Sequence, residues 1–164
     1  TVISNSTSSP IKSKPTYVCP TSLAVYHSRV SGAIRFASQF EAKVYKELRI
    51  LGLEVFVQAK LNLTPVNARG RYKKNLEWKV DFMAWHRERA IHVPVEAKGG
   101  WITHNHGAKE AFTKTLRMLE YGDPLAAKNL IVVSPGQSIE LDEIHTTVPF
   151  KYFREVIRKK FQLL

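Results

Sequence analysis

The chain has 164 residues, 44% of them hydrophobic, enough to bury a real core and few enough to favour one compact domain over two. Its 25 Lys and Arg against 14 Asp and Glu give a net charge of +11, which suits a polyanionic partner because each neutralised phosphate releases condensed counterions. No stretch approaches the ~20 consecutive apolar residues of a spanning helix, and the single cysteine, Cys19, leaves no internal disulfide or cysteine-rich zinc site and fits a reducing cytoplasm.

A merely soluble basic protein would share that charge. A binder of acidic membranes would instead gather its cations on one amphipathic helix, whereas here they are spread over several segments. In chain order, residues 1–30 are rich in Ser, Thr and Pro and carry no acid. They read as a mobile or loosely packed arm ahead of a single domain over 31–164. Ser38-Gln39-Phe40-Glu41 has the form of a capping box. Phe40, Val44, Leu48 and Leu51 follow at helical spacing, and Gly52 stops the helix. A strand over 53–63 leads into a turn-like stretch, 64–75, holding Pro65, Gly70 and the cations Arg69, Arg71, Lys73 and Lys74. Strands over 76–85 and 90–98 form a hairpin about the charged turn 86–89.

A helix follows over 107–119, burying Phe112, Leu116 and Leu119 and ending near Gly122-Asp123-Pro124. Leu130-Ile131-Val132-Val133 lacks polar alternation, as a strand buried on both faces does, and Pro135-Gly136 ends it. The last helix, 149–161, buries Phe150, Phe153, Ile157 and Phe161 and turns Lys151, Arg154, Arg158, Lys159 and Lys160 outward. The order is α/β, helix, three strands, helix, strand, helix, and a mixed four-stranded sheet flanked by helices accommodates it.

Chemistry concentrates in Val80-Asp81-Phe82 and Val95-Glu96-Ala97-Lys98-Gly99. A hairpin turning between Glu88 and Arg89 sets residue 81 opposite residue 96, and strand alternation brings Lys98 to the face of Glu96. Two opposed carboxylates repel unless a positive charge lies between them, and a divalent cation supplies it. Magnesium, held by one or two carboxylates plus substrate phosphates, fits that description. The competing reading is a solvated strand end, but Val80, Phe82, Val95 and Ala97 embed the acids in half-buried strands, where they need a reason to be.

These residues resemble the PD-(D/E)XK nuclease superfamily over about 38–135. Ser38-Gln-Phe-Glu41 and Glu96-Ala-Lys-Gly-Gly-Trp101 look similar to the helix and active-site strand of its phage-type junction-resolving members. The resemblance implies an αβββαβ restriction-endonuclease-like core, here with a C-terminal helix, and a magnesium-dependent DNA endonuclease in which manganese substitutes. Asp81, Glu96, the Ala97 carbonyl and, through water, Glu41 would hold the metal, with Lys98 as catalytic lysine. A junction-resolving or a site-specific enzyme would both satisfy it, in the cytoplasm, nucleoid-associated or in a phage-infected host, and cutting both strands implies a homodimer.

Val80 stands where the motif has proline, and Pro94 removes a ladder donor from the third strand. Glu41 could equally do no more than complete the capping box. Arg69, Arg71, Lys73 and Lys74, with Lys109, Arg154 and Arg158, are the expected phosphate contacts, which position a duplex without reading it. His104 and His106 lack a third partner for zinc and read as loop residues. Cys19 has no base beside it and reads as inert. The alternative function is a non-catalytic DNA-binding module of the same fold.

Overall fold

The computed structural model describes residues 14–70, 76–103 and 105–163. Arg71, Lys73, Lys74 and His104 therefore lie outside the described residues. The chain divides into two compact units, residues 1–43 and 44–164.

In the first unit, β1 (Thr16–Val18) lies between β2 (Val25–Tyr26) and β3 (Ile34–Phe36) in an antiparallel sheet. Part of the stretch expected as a loose arm is thus paired, Tyr17 with Tyr26 and Thr16 with Phe36, and the boundary expected at residue 30 falls between β2 and β3 of this sheet. Strands of two or three residues are shorter than the window over which alternation can be read. Cys19, in the turn after β1, bonds through Sγ to Thr21 Oγ1 at 3.1 Å. Hydrogen bonds from Ser22 first and Thr21 second pull its pKa down to about 6.

Helix α1 (Gln39–Ile50) begins in this unit and ends in the next. Its start is capped as expected: Ser38 Oγ accepts from the Glu41 N–H at 3.2 Å. The Glu41 carboxylate reaches back to the Ala37 N–H at 3.2 Å, one residue beyond the usual box. Its end is a Schellman motif, with Gly52 at φ +84°, Gly52 N–H to Arg49 O and Leu53 N–H to Leu48 O.

The second unit is α/β. Its sheet has the order β4 (Glu54–Asn62), β5 (Glu77–Trp85), β6 (His92–Ala97), β7 (Ile131–Ser134), β8 (Val148–Pro149). The first three strands are antiparallel and the last two join in parallel, so the sheet is mixed, with five strands rather than the expected four. The extra strand, β8, is only two residues long and immediately precedes α4 (Phe150–Phe161). Pro94 does not disturb β6, because the β7 ladder starts after it, at Val95↔Ile131.

Helix α2 (His106–Gly122) and the short α3 (Pro124–Asn129), which sequence periodicity did not reveal, cross between β6 and β7. Phe112, Leu116 and Leu119 of α2 pack in one cluster with Leu61, Val80, Ile102 and Val132. Helix α4 buries Phe153, Ile157 and Phe161, as its spacing predicts, while Phe150, expected beside them, is only half-buried at the helix start.

Gly122, the last residue of α2, lies against the end of β4. A β-carbon there would sit 2.6 Å from the carbonyl carbon and 2.7 Å from the Cα of Leu63, and closer still to the Asn62 carbonyl oxygen. These are backbone atoms that cannot rotate away. At this last helical position Gly122→Ala gains at most about 1 kcal/mol of helix propensity, but overpacking against rigid backbone costs about 1–3 kcal/mol or more. We therefore expect a lower melting temperature for the variant, and an equal or higher one would refute the close approach.

Candidate active site

The register of β5 and β6 brings the two acids together. Pairs run from Trp85↔His92 to Phe82↔Val95, and one step further Asp81 faces Glu96, as the hairpin predicts. At that step side chains take over from the ladder. The Asp81 N–H donates to Glu96 Oε1 at 2.9 Å, and the Ala97 N–H donates to Asp81 Oδ2 at 2.9 Å. Each carboxylate thus accepts from the backbone of the opposite strand, which holds both in place.

Lys98 completes the group. Its Nζ lies 3.0 Å from Glu96 Oε2 and 4.4 Å from the centre of the Phe112 ring, a cation–π distance. Its main chain is fixed by the Lys98 N–H to Val133 O bond, 2.9 Å, which extends the β6–β7 pairing past the strand end.

Glu96 is 4% exposed, and its pKa is pushed up to about 8. Burial is the largest cause and the negative charge of Asp81 the second; the Lys98 ammonium opposes both and only partly offsets them. Two acids and one ammonium leave the cluster short of positive charge when both acids are ionised. Asp81 keeps one oxygen, Oδ1, off the backbone, with Gln58 Nε2 3.5 Å away.

Glu41 belongs to the first unit and works there as the helix cap described above. Arg69 is engaged by its own loop and by the end of α2: its guanidinium donates to the carbonyls of Thr64, at 3.4 Å, and Gly122. Arg154 pairs with Glu47. Lys109 is half-buried on α2, lining a shallow groove with His106, Thr113, Lys114 and Arg117, and Arg158 is exposed on α4. His106 is the first residue of α2, next to the N-cap Asn105, whose side chain accepts from the Ala108 N–H.

A second cluster escaped sequence reasoning. Glu120, Asp142 and His145 offer ligand atoms within 4.8 Å of one another, a set that could hold a metal ion. His145 already has two partners: Nδ1 lies 2.9 Å from Asp142 Oδ1 and Nε2 lies 2.7 Å from Ala127 O. The pair ties the loop before β8 to α3, and no spacing rule links residues 120, 142 and 145 in advance. No helix among the described residues is long and apolar enough to cross a membrane. No model of a known protein family, no curated protein and no solved structure matches the chain.

Proposed function

We propose that this chain is a magnesium-dependent DNA endonuclease whose active site is Asp81, Glu96 and Lys98, with the Ala97 carbonyl as a further metal ligand. The observation that carries the reading is Glu96: a carboxyl group held almost out of water, against a second acid, with an ammonium 3.0 Å away. Buried like charges are costly to a fold, and strongly perturbed acids cluster where chemistry is done.

The donors fit the ion. Carboxylate and carbonyl oxygens are what magnesium takes, and it is commonly held by two acids and completed by substrate phosphate and water. When bound, it lowers the pKa of a water and neutralises charge on the phosphodiester. The residues of the chain do the rest. Asp81 Oδ2 and Glu96 Oε1 are anchored by backbone N–H groups, so the oxygens that would face the ion are Asp81 Oδ1 and Glu96 Oε2, the latter shared with Lys98. Lys98, on Glu96 Oε2, lies where it can stabilise the charge that builds on the phosphate during attack. The net charge of +11 favours a nucleic-acid substrate over a small phosphoester.

One observation favours the alternative, a DNA-binding module that keeps the fold without the chemistry. Both Glu96 oxygens already have partners, the Asp81 N–H and Lys98, so the trio can serve as a strand-end clamp. Incubating supercoiled, linear and branched DNA with the protein in magnesium or in EDTA separates the two. The enzyme cleaves at least one substrate in magnesium only. Binding with no cleavage of any of them leaves the module. Branched-substrate preference, manganese in place of magnesium, and a homodimer cutting both strands belong to the same proposal, and light scattering on the free protein tests the dimer.

A further inference from the structure

β4 contains a backbone outlier beside the acids. β4 and β5 keep one register on both sides of Gln58, with Val57↔Phe82 and Ala59↔Val80, so Gln58 stands opposite Asp81. Every β5 residue from Glu77 to Trp85 pairs with β4 except Asp81. At that step the Asp81 N–H is turned to Glu96, and Gln58 has φ +57°, the left-handed region, inside a nine-residue strand.

A residue with a Cβ pays about 1–3 kcal/mol for that conformation, and glycine would avoid it. Among the described residues little offsets the cost. Gln58 is exposed, so burial does not hold it, and its contact with Asp81 Oδ1 is 3.5 Å, long for a hydrogen bond. A strained conformation that brings little stability in return marks a position kept for what its side chain does.

We infer that Gln58 is a positioning residue of the metal site: its carboxamide steadies the Asp81 oxygen left free by the backbone, and the left-handed turn of β4 aims it there. This rests on the metal-site reading above and deepens it. Partners that orient a ligand in this way typically change metal affinity about 10–100-fold when lost.

Three variants of the full chain test it, read by manganese binding in calorimetry and by melting temperature. Gln58→Met keeps the length and the strained backbone and deletes only the amide; Gln58→Gly deletes the amide and relieves the strain. Both should bind manganese about 10-fold or more weakly than the parent. Gln58→Gly should melt no lower than the parent, whereas a purely structural Gln58 would make it melt lower with manganese affinity intact. Asp81→Asn is the reference. If it loses manganese while both Gln58 variants bind like the parent, the inference about Gln58 fails and the metal site stands. If the parent itself binds no manganese, or Asp81→Asn binds as the parent does, the metal site fails and the inference with it.

Discussion

Asp81→Asn and Lys98→Met should both cripple cleavage, and they should differ in what they do to the metal. Asparagine keeps an oxygen for the Ala97 N–H, so the strand end stays closed, but it removes the charge that a divalent cation needs. Metal affinity should fall about 10-fold or more and cleavage should drop below detection. DNA binding should survive or tighten, because one negative charge has left the place where a phosphate must come.

Lys98→Met keeps the packing against Phe112 and removes the ammonium. Cleavage should fall about 10²–10³-fold if the ammonium stabilises the developing charge. Its effect on metal depends on pH. Lys98 is the group that holds the Glu96 pKa down, so its loss pushes that value higher still. Near neutral pH more of Glu96 is then protonated and binds metal poorly. Once the pH exceeds that raised value the carboxylate is recovered, and metal affinity should approach that of the parent. Titrating manganese into both variants at two pH values decides the matter. Equal metal loss in both at high pH, or persistent cleavage by Asp81→Asn, would put the site elsewhere.

The core of this site was legible because a hairpin register follows from where its turn falls. Asp81 and Glu96 are equally far from the Glu88–Arg89 step about which the hairpin turns, and alternation then brings Lys98 to Glu96. Apolar flanks marked both acids as half-buried, and Glu96 turned out to be deeper than that. The elements that escaped are short: β1 to β3, α3 and β8 carry two to six residues each, too few to show a period. Gln58 escaped for another reason. Its left-handed backbone is a property of the folded strand, and glutamine, unlike glycine or asparagine, gives no warning of it. The fate of Arg69 was equally hidden: a cation in a loop looks free until the carbonyls of Thr64 and Gly122 are placed beside it.

The pH dependence of stability offers a test of the site that needs no DNA. Glu96 has a folded-state pKa of about 8 against an ordinary 4.5, raised chiefly by burial and then by Asp81. Below the lower value the group is protonated whether the chain is folded or not, and it takes nothing from stability. As pH rises from there to about 8, the unfolded chain releases the proton while the folded chain retains it, so stability is progressively lost. Above that window the folded protein bears the whole cost, of order a few kcal/mol. Glu96→Gln cannot ionise and escapes the loss, while its amide oxygen can still accept from the Asp81 N–H. In EDTA, the melting temperature of Glu96→Gln minus that of the parent should therefore grow steadily across the window and level off above it. Magnesium should narrow the difference on the alkaline side by stabilising only the parent, since the ion binds the ionised pair and binding to the folded state raises stability. A difference that stays flat with pH in EDTA would mean that Glu96 is ionised throughout and its burial is already compensated by Lys98. The magnesium arm is independent: parent and variant responding alike to the ion would leave Glu96 a buried acid with a structural partner and no metal to hold.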